Sequence, residues 1–178
     1  MLVCCSDMNE MPAERMKDNA LPLRQTDVAA SDHDRASEKL LHPDAMGVLV
    51  PGRDKHFYSS GAFNLIQLIL YILKQTGPAH LFLTTYSISM DSINTLRRKV
   101  ETGELLSVRF LIDNRVRSIS PKPFDYLVTT FPDCYRCLAL HAKVALLYNE
   151  DWNITVVGSW NVESSIPAEI FLTLILKC

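Results

Sequence analysis

No stretch of this 178-residue sequence is apolar for long enough to cross a bilayer. The longest apolar run, Leu68 to Leu73 with its neighbours, is interrupted by Asn64 and Gln67. A membrane-spanning helix needs roughly 20 apolar residues. The opening residues, Met1 to Asp7, have neither a basic start nor an apolar stretch, so they predict no secretory signal. Five cysteines, an odd set, then fit free thiols in a reducing cytosol. A strong excess of one charge is missing too. The net charge of −2 makes no electrostatic case for nucleic acid, and it excludes none, because a local patch suffices. Internal repeats and low-complexity tracts are absent.

What is present is ordinary for a globular domain. Hydrophobic residues make up 48% and charged residues 21%, enough to build a core. The charge is uneven: residues 1–60 carry three more acidic than basic residues, and 61–178 one more basic than acidic. Residues 1–45 mix Met, Asp, Glu, Lys and Ser without an apolar period and read as a poorly ordered leader, with a short helix expected near Ala36–Leu41. The expected domain is 46–178.

Within that domain helical and strand patterns alternate. Gly61 to Gln75 predicts a helix with Asn64, Gln67 and Lys74 on one narrow stripe, buried on its other sides and stopped by Gly77-Pro78. His80–Tyr86 reads as a strand. Ser89 or Asp91 is placed to cap a helix carrying Ile93, Leu96 and Val100, which Gly103 ends. Leu106–Ile112 is a further strand and Pro123–Thr130 a short helix. The last quarter reads as strand: Cys137 into His141, Val144–Tyr148, a turn at Asn149-Glu150-Asp151, Trp152–Val157, and Glu169–Leu176. The expected class is α/β, layered, with a mixed sheet flanked by helices.

The chemistry concentrates late in the chain. His141-Ala142-Lys143 is followed, after a hairpin, by Gly158-Ser159-Trp160-Asn161. On a strand, His and Lys two apart share a face, offering an imidazole beside an ammonium. Glycine permits a sharp turn, and the Ser hydroxyl and Asn amide can reach the same place. The four polar side chains make a small anion-binding pocket containing a nucleophile.

His-x-Lys followed by Gly-Ser-x-Asn resembles the motif of the phospholipase D superfamily. The order of elements from about Phe57 onward resembles that fold as well, and Glu169 stands where the family has an acidic residue that orients a histidine. The resemblance implies two-step phosphoryl transfer across a twofold axis without a cofactor or metal. One histidine attacks phosphorus to give a phosphohistidine, and the other protonates the leaving oxygen and then activates water. Lys143, Ser159 and Asn161 hold the non-bridging oxygens, and Glu169 fixes the His141 tautomer. A single motif implies a homodimer with one composite site. Short single-motif members are nucleases, so the implied activity is a phosphodiesterase cleaving DNA. The sequence departs from the family at Tyr148, where an Asp is usual, and in a longer span from Lys143 to Gly158.

Other readings stand beside this one. The fold can persist with a degenerate site, leaving a nucleic-acid-binding or assembly protein, and a phospholipid-hydrolysing enzyme is a third reading. Ser159 and Asn161 also suit a plain turn. Arg115 and Arg117 follow a strand end and are the expected substrate-binding cations. Arg97 to Lys99 fits a basic rim or a solvated helix face equally well. Cys134-x-x-Cys137 has no second pair at ligand spacing and reads as two partly buried thiols. Phe57 and Tyr58 suit base stacking or the core.

Overall fold

The computed structural model describes Leu40 and residues 46–59, 63–158 and 168–176. Apart from Leu40, which is helical, the expected leader and its short helix lie outside the described residues.

The best-buried element is helix α1, Leu65–Thr76, in which Leu65, Ile66 and Leu68 to Leu73 are all buried. Each such large apolar side chain contributes roughly 1.5–3 kcal/mol when removed from water. The helix starts four residues later than the apolar pattern suggests. Asn64 and Gln67 are not members of a solvated stripe but the two ends of a capping box. Asn64 Oδ1 accepts from Gln67 N at 3.0 Å, and Gln67 Oε1 accepts from Asn64 N at 2.7 Å. At the other end Gly77 takes φ +75° and its N–H donates to the Leu73 carbonyl at 3.0 Å.

Strand β2, Ala79–Thr85, follows directly. Helix α2, Met90–Glu101, is capped by Ser89, whose hydroxyl accepts from Ser92 N at 3.2 Å. Strand β3, Leu105–Asp113, leads into the single turn α3, Val116–Ile119, and helix α4, Pro121–Thr130. Helices α2 and α4 are joined where the Tyr126 hydroxyl donates to Asn94 Oδ1. The remaining strands are β4, Tyr135–Leu138; β5, Val144–Tyr148; β6, Trp152–Gly158; and β7, Ala168–Leu176. An early strand, β1, Lys55–Ser59, has no counterpart in the sequence reading. Its five residues hold two basic side chains, which blur the alternation.

The seven strands form one sheet in the order β1-β7-β6-β5-β2-β3-β4. β2, β3 and β4 run parallel, and β5, β6, β7 and β1 join by antiparallel pairings. The sheet is therefore mixed and flanked by helices, as the alternating pattern implies. The β5–β6 hairpin turns at Asn149–Asp151 as expected, where Asn149 Oδ1 accepts from the N–H groups of Asp151 and Trp152 at 3.0 and 2.8 Å.

Candidate functional site

The topology gathers the late motif at one end of the sheet. β2 and β3 end there, at Thr85 and Asp113. β5 begins there, because it pairs antiparallel with β2 through Leu83 and Ala145. β6 ends there, with Val157 opposite Val144 and the Gly158 N–H donating to the Lys143 carbonyl at 3.1 Å. β7 begins there as well, with Ile170 opposite Gly158. Lys143 and Gly158, the described residue of the motif's second half, are thus bonded neighbours at the carboxyl ends of parallel strands, the usual place for a site in an open α/β sheet.

His141 and Lys143 do not lie on a strand. Residues 139–143 have no regular structure, and β5 starts only at Val144. The cause is Thr84, a buried residue near the end of β2. Its hydroxyl donates to the Ala142 carbonyl at 3.0 Å and accepts from the Val144 N–H at 2.7 Å. A side chain thereby satisfies the backbone groups that a ladder would otherwise pair. Strand alternation cannot be what sets the two side chains together. Instead the Lys143 ammonium turns back and donates to the His141 carbonyl at 3.4 Å. His141 itself is exposed, and its ring lies 5.5 Å from that of Tyr86, tilted by 51°.

A second tie comes from Asp113, the last residue of β3, whose side chain is only 1% exposed. One carboxylate oxygen accepts from Arg115 N and Arg115 Nε, both at 2.8 Å. The other accepts from Arg115 Nη2 at 2.9 Å and from the Leu140 N–H at 3.1 Å. Asp113 therefore binds both the Arg115 turn and the residue before His141. The Arg115 guanidinium holds its carboxyl far below the usual carboxylate range, with the Arg115 and Leu140 backbone N–H groups adding to the effect against the cost of burial. Arg115 in turn has its pKa raised, chiefly by the same pairing. The Arg115 guanidinium also lies over the Tyr86 ring, its carbon 4.8 Å from the ring centre. A cleft of about 360 Å³ lies among these groups, lined by Asp113, Asn114, Arg115, Ala139, Leu140 and His141.

Of the expected site residues, the structure brings His141 and Arg115 to one cleft and sets Lys143 beside it. Arg117 is elsewhere: its guanidinium lies 5.3 Å over the Phe124 ring, and it does not line the cleft. Glu169 is the second residue of β7, opposite Tyr58, at the same end of the sheet. Ser159 and Asn161, and the Glu169 side chain, lie outside the described residues. Tyr86, Thr84 and Asp113 were not picked out from sequence. Asp113-x-Arg115 at a strand end carried a signal, since a carboxylate and a guanidinium two apart at a chain reversal can close on each other. Thr84 carried none, because strand threonines are common.

Tyr148 sits at the far end of β5 from the cleft. It is on the order of 13 Å along the strand from Val144, and its ring stacks on that of His80 at 5.0 Å. Tyr148 thus belongs to the opposite end of the sheet, where a separate cleft of about 540 Å³ is lined by His80, Tyr148 and the hairpin turn. Cys134 and Cys137 are free, half-buried thiols, and burial pushes the Cys134 thiol up. Among the described residues no cluster of three or more His, Cys, Asp or Glu could hold a metal ion, and no helix is long and apolar enough to cross a membrane.

No family model matches the chain, and no curated protein matches it. Among solved structures it is similar to a chain described as the crystal structure of polyphosphate kinase from Porphyromonas gingivalis, at 11% identity and a TM-score of 0.49. The match covers 93% of this chain and 29% of that one, so this chain spans under a third of its length. A likeness this low in identity and score says nothing about chemistry.

Proposed function

We propose that this chain is one half of a phospholipase D-like phosphodiesterase that works without a metal, and that it is an endonuclease hydrolysing DNA at a composite site formed by two copies. The observation that carries the reading is the meeting of the motif's halves, with Gly158 bonded to Lys143 beside the cleft that His141 and Arg115 line. In the proposed reaction a ring nitrogen of His141 forms a bond to phosphorus, and the bond from phosphorus to the leaving oxygen breaks. That oxygen takes a proton from His141 of a second copy. The same second imidazole then removes a proton from water, whose oxygen attacks phosphorus and releases the first histidine. Lys143, with Ser159 and Asn161, stabilises the charge growing on the non-bridging oxygens. Glu169 sets the tautomer of a histidine.

The exposure of His141 supports a site completed by another copy, because one chain leaves the ring open. Leu138 and Val157, 40% and 42% exposed, end β4 and border Gly158 at this same end. They offer apolar surface for the contact. The proposed location is the cytoplasm, and residues 1–45 are proposed to be a leader outside the phospholipase D-like domain.

The test is cleavage of plasmid and single-stranded DNA in excess EDTA, comparing the unmodified protein with His141→Ala. Metal-free cleavage that falls at least about a thousandfold in the variant is the expected result. A folded, dimeric preparation that cleaves neither substrate would overturn the reading in favour of a nucleic-acid-binding protein with a degenerate site.

A further inference from the structure

Arg115 is the obvious cation for a phosphate, yet its surroundings suit that task poorly. Two of its side-chain nitrogens are committed to Asp113, so the pair carries no net charge. The buried carboxylate also lines the cleft and takes up the charge that Arg115 would otherwise offer a phosphate. Ala139 and Leu140 make the adjoining wall apolar. What the geometry retains is a plane. The guanidinium is clamped edge-on by Asp113 and backed by the Tyr86 ring at 4.8 Å, while its side chain stays 58% exposed. Tyr86 is itself fixed against the His141 ring. The volume, about 360 Å³, lies at the low end of the roughly 300–1,000 Å³ typical of small-molecule sites.

We propose that the Tyr86–Arg115 pair, a guanidinium lying over a ring, is a platform for a nucleobase of single-stranded nucleic acid, seating one base next to His141. The proposal rests on the phosphodiesterase reading for its biological sense and adds to it the substrate class. A base lying on the outer face of Arg115 has a flat cation beneath it and an apolar wall beside it. Arginine planes and aromatic rings serve this purpose wherever unpaired bases are held. A neutralised arginine draws phosphates weakly but loses nothing as a stacking surface. Clamping also means that little rotamer freedom is lost when the base arrives. The platform tolerates any base, since each has a π face.

The experiment measures binding by fluorescence anisotropy in EDTA, using the full chain carrying His141→Asn so that the strand is not consumed. One probe is a single-stranded DNA oligonucleotide; the other has the same length and phosphate count with the bases removed. The normal strand is expected to bind about 5- to 150-fold more tightly. Adding Arg115→Lys, which keeps the charge but removes the plane, is expected to weaken the normal strand about tenfold or more and the abasic strand less than about twofold. Tyr86→Leu, which removes the backing ring, is expected to act in the same direction, and Tyr86→Phe is expected to leave binding intact. Equal weakening of both strands by Arg115→Lys would make Arg115 a phosphate clamp and overturn the platform. So would equal binding of the two strands, or no binding of either by protein with an unchanged circular dichroism spectrum. Metal-free cleavage by the unmodified protein is scored separately. Base-dependent binding without cleavage removes the enzyme reading and leaves the platform, and cleavage with base-independent binding does the reverse.

Discussion

Thr84→Val isolates what holds the His141 loop in place. The two side chains have nearly the same shape, but valine can neither donate to the Ala142 carbonyl nor accept from the Val144 N–H. Ala142 is exposed, so water can replace the hydroxyl at its carbonyl at little cost. Val144 is half-buried and sits where β5 begins, and Thr84 itself is 6% exposed. An N–H left unpaired there costs about 1–3 kcal/mol. The gain from a methyl in place of a hydroxyl offsets part of this, leaving a net destabilisation of about 1–2 kcal/mol in urea unfolding with the m-value unchanged. Thr84→Ser keeps the hydroxyl and loses one methyl, and is expected to cost about 1 kcal/mol or less. In the cleavage assay the valine variant is expected to lose on the order of 10- to 100-fold in kcat, because the loop carrying His141 and Lys143 is released by an ångström or more. Serine is expected to retain most of the activity. If valine changes stability by less than about 0.5 kcal/mol, or if serine is as damaging as valine, the hydroxyl is not the tie and the account of this loop is wrong.

Asp113→Asn keeps the shape of the second tie and removes its charge. Because Asp113 has its pKa depressed in the folded protein, its contribution is fully present above the unfolded value near 3.9 and is lost as pH falls below that toward the folded value. The variant is therefore expected to be less stable by about 1–2 kcal/mol at pH 7, discounted because Arg115 is open to solvent, with the gap narrowing below about pH 4; a gap that instead widens in acid contradicts the pairing. Tyr148→Asp introduces the residue usual in the motif that the sequence resembles and is expected to leave cleavage within about threefold, under about 0.7 kcal/mol of barrier. It is also expected to lower stability by about 1 kcal/mol through loss of the stack on His80, and a large gain in activity would place Tyr148 in the site after all.

The sequence was a good guide where periodicity decides structure and a poor one where single side chains do. The apolar density of α1 and the alternation in β2, β3, β5 and β6 are repeated signals, and their boundaries fall within a few residues of those observed. Asn64 and Gln67 misled because, three apart, they fit a polar helix stripe and a capping box equally well. The His141 segment misled for a related reason. Cys137 to Tyr148 is apolar enough to extend a strand, and nothing in it reveals that Thr84, 58 residues before Ala142, will take over the backbone bonding. That is a long-range contact made by a residue type that strands contain anyway. That Arg115 lies at the cleft is in keeping with its following a strand end, but its pairing and its place over a ring depend on Asp113 and Tyr86, which belong to two different strand exits. Arg117, read by the same rule, lies over Phe124 because α3 carries its side chain toward α4.

The two positions at which the sequence differs from the motif it resembles have one location in common. Tyr148 and the longer span between Lys143 and Gly158 both belong to the β5–β6 hairpin, and the hairpin grows away from the cleft. Residues added at its turn leave the pairing of Val144 with Val157 intact, because the register is fixed by the strand faces and by Asn149. Asn149 also donates to the carbonyls of Thr76 and Pro78 at 3.0 and 3.1 Å, tying the turn to the end of α1. A change there is absorbed by the far end of the sheet, where His80 and Tyr148 stack. The near end is held by a different set of contacts: Thr84 on residues 142 and 144, Asp113 on residues 115 and 140, and Lys143 on Gly158. None of these involves the hairpin turn. Tyr148 and the longer span therefore lie apart from His141, Lys143 and Gly158, at the other end of the β5–β6 pair.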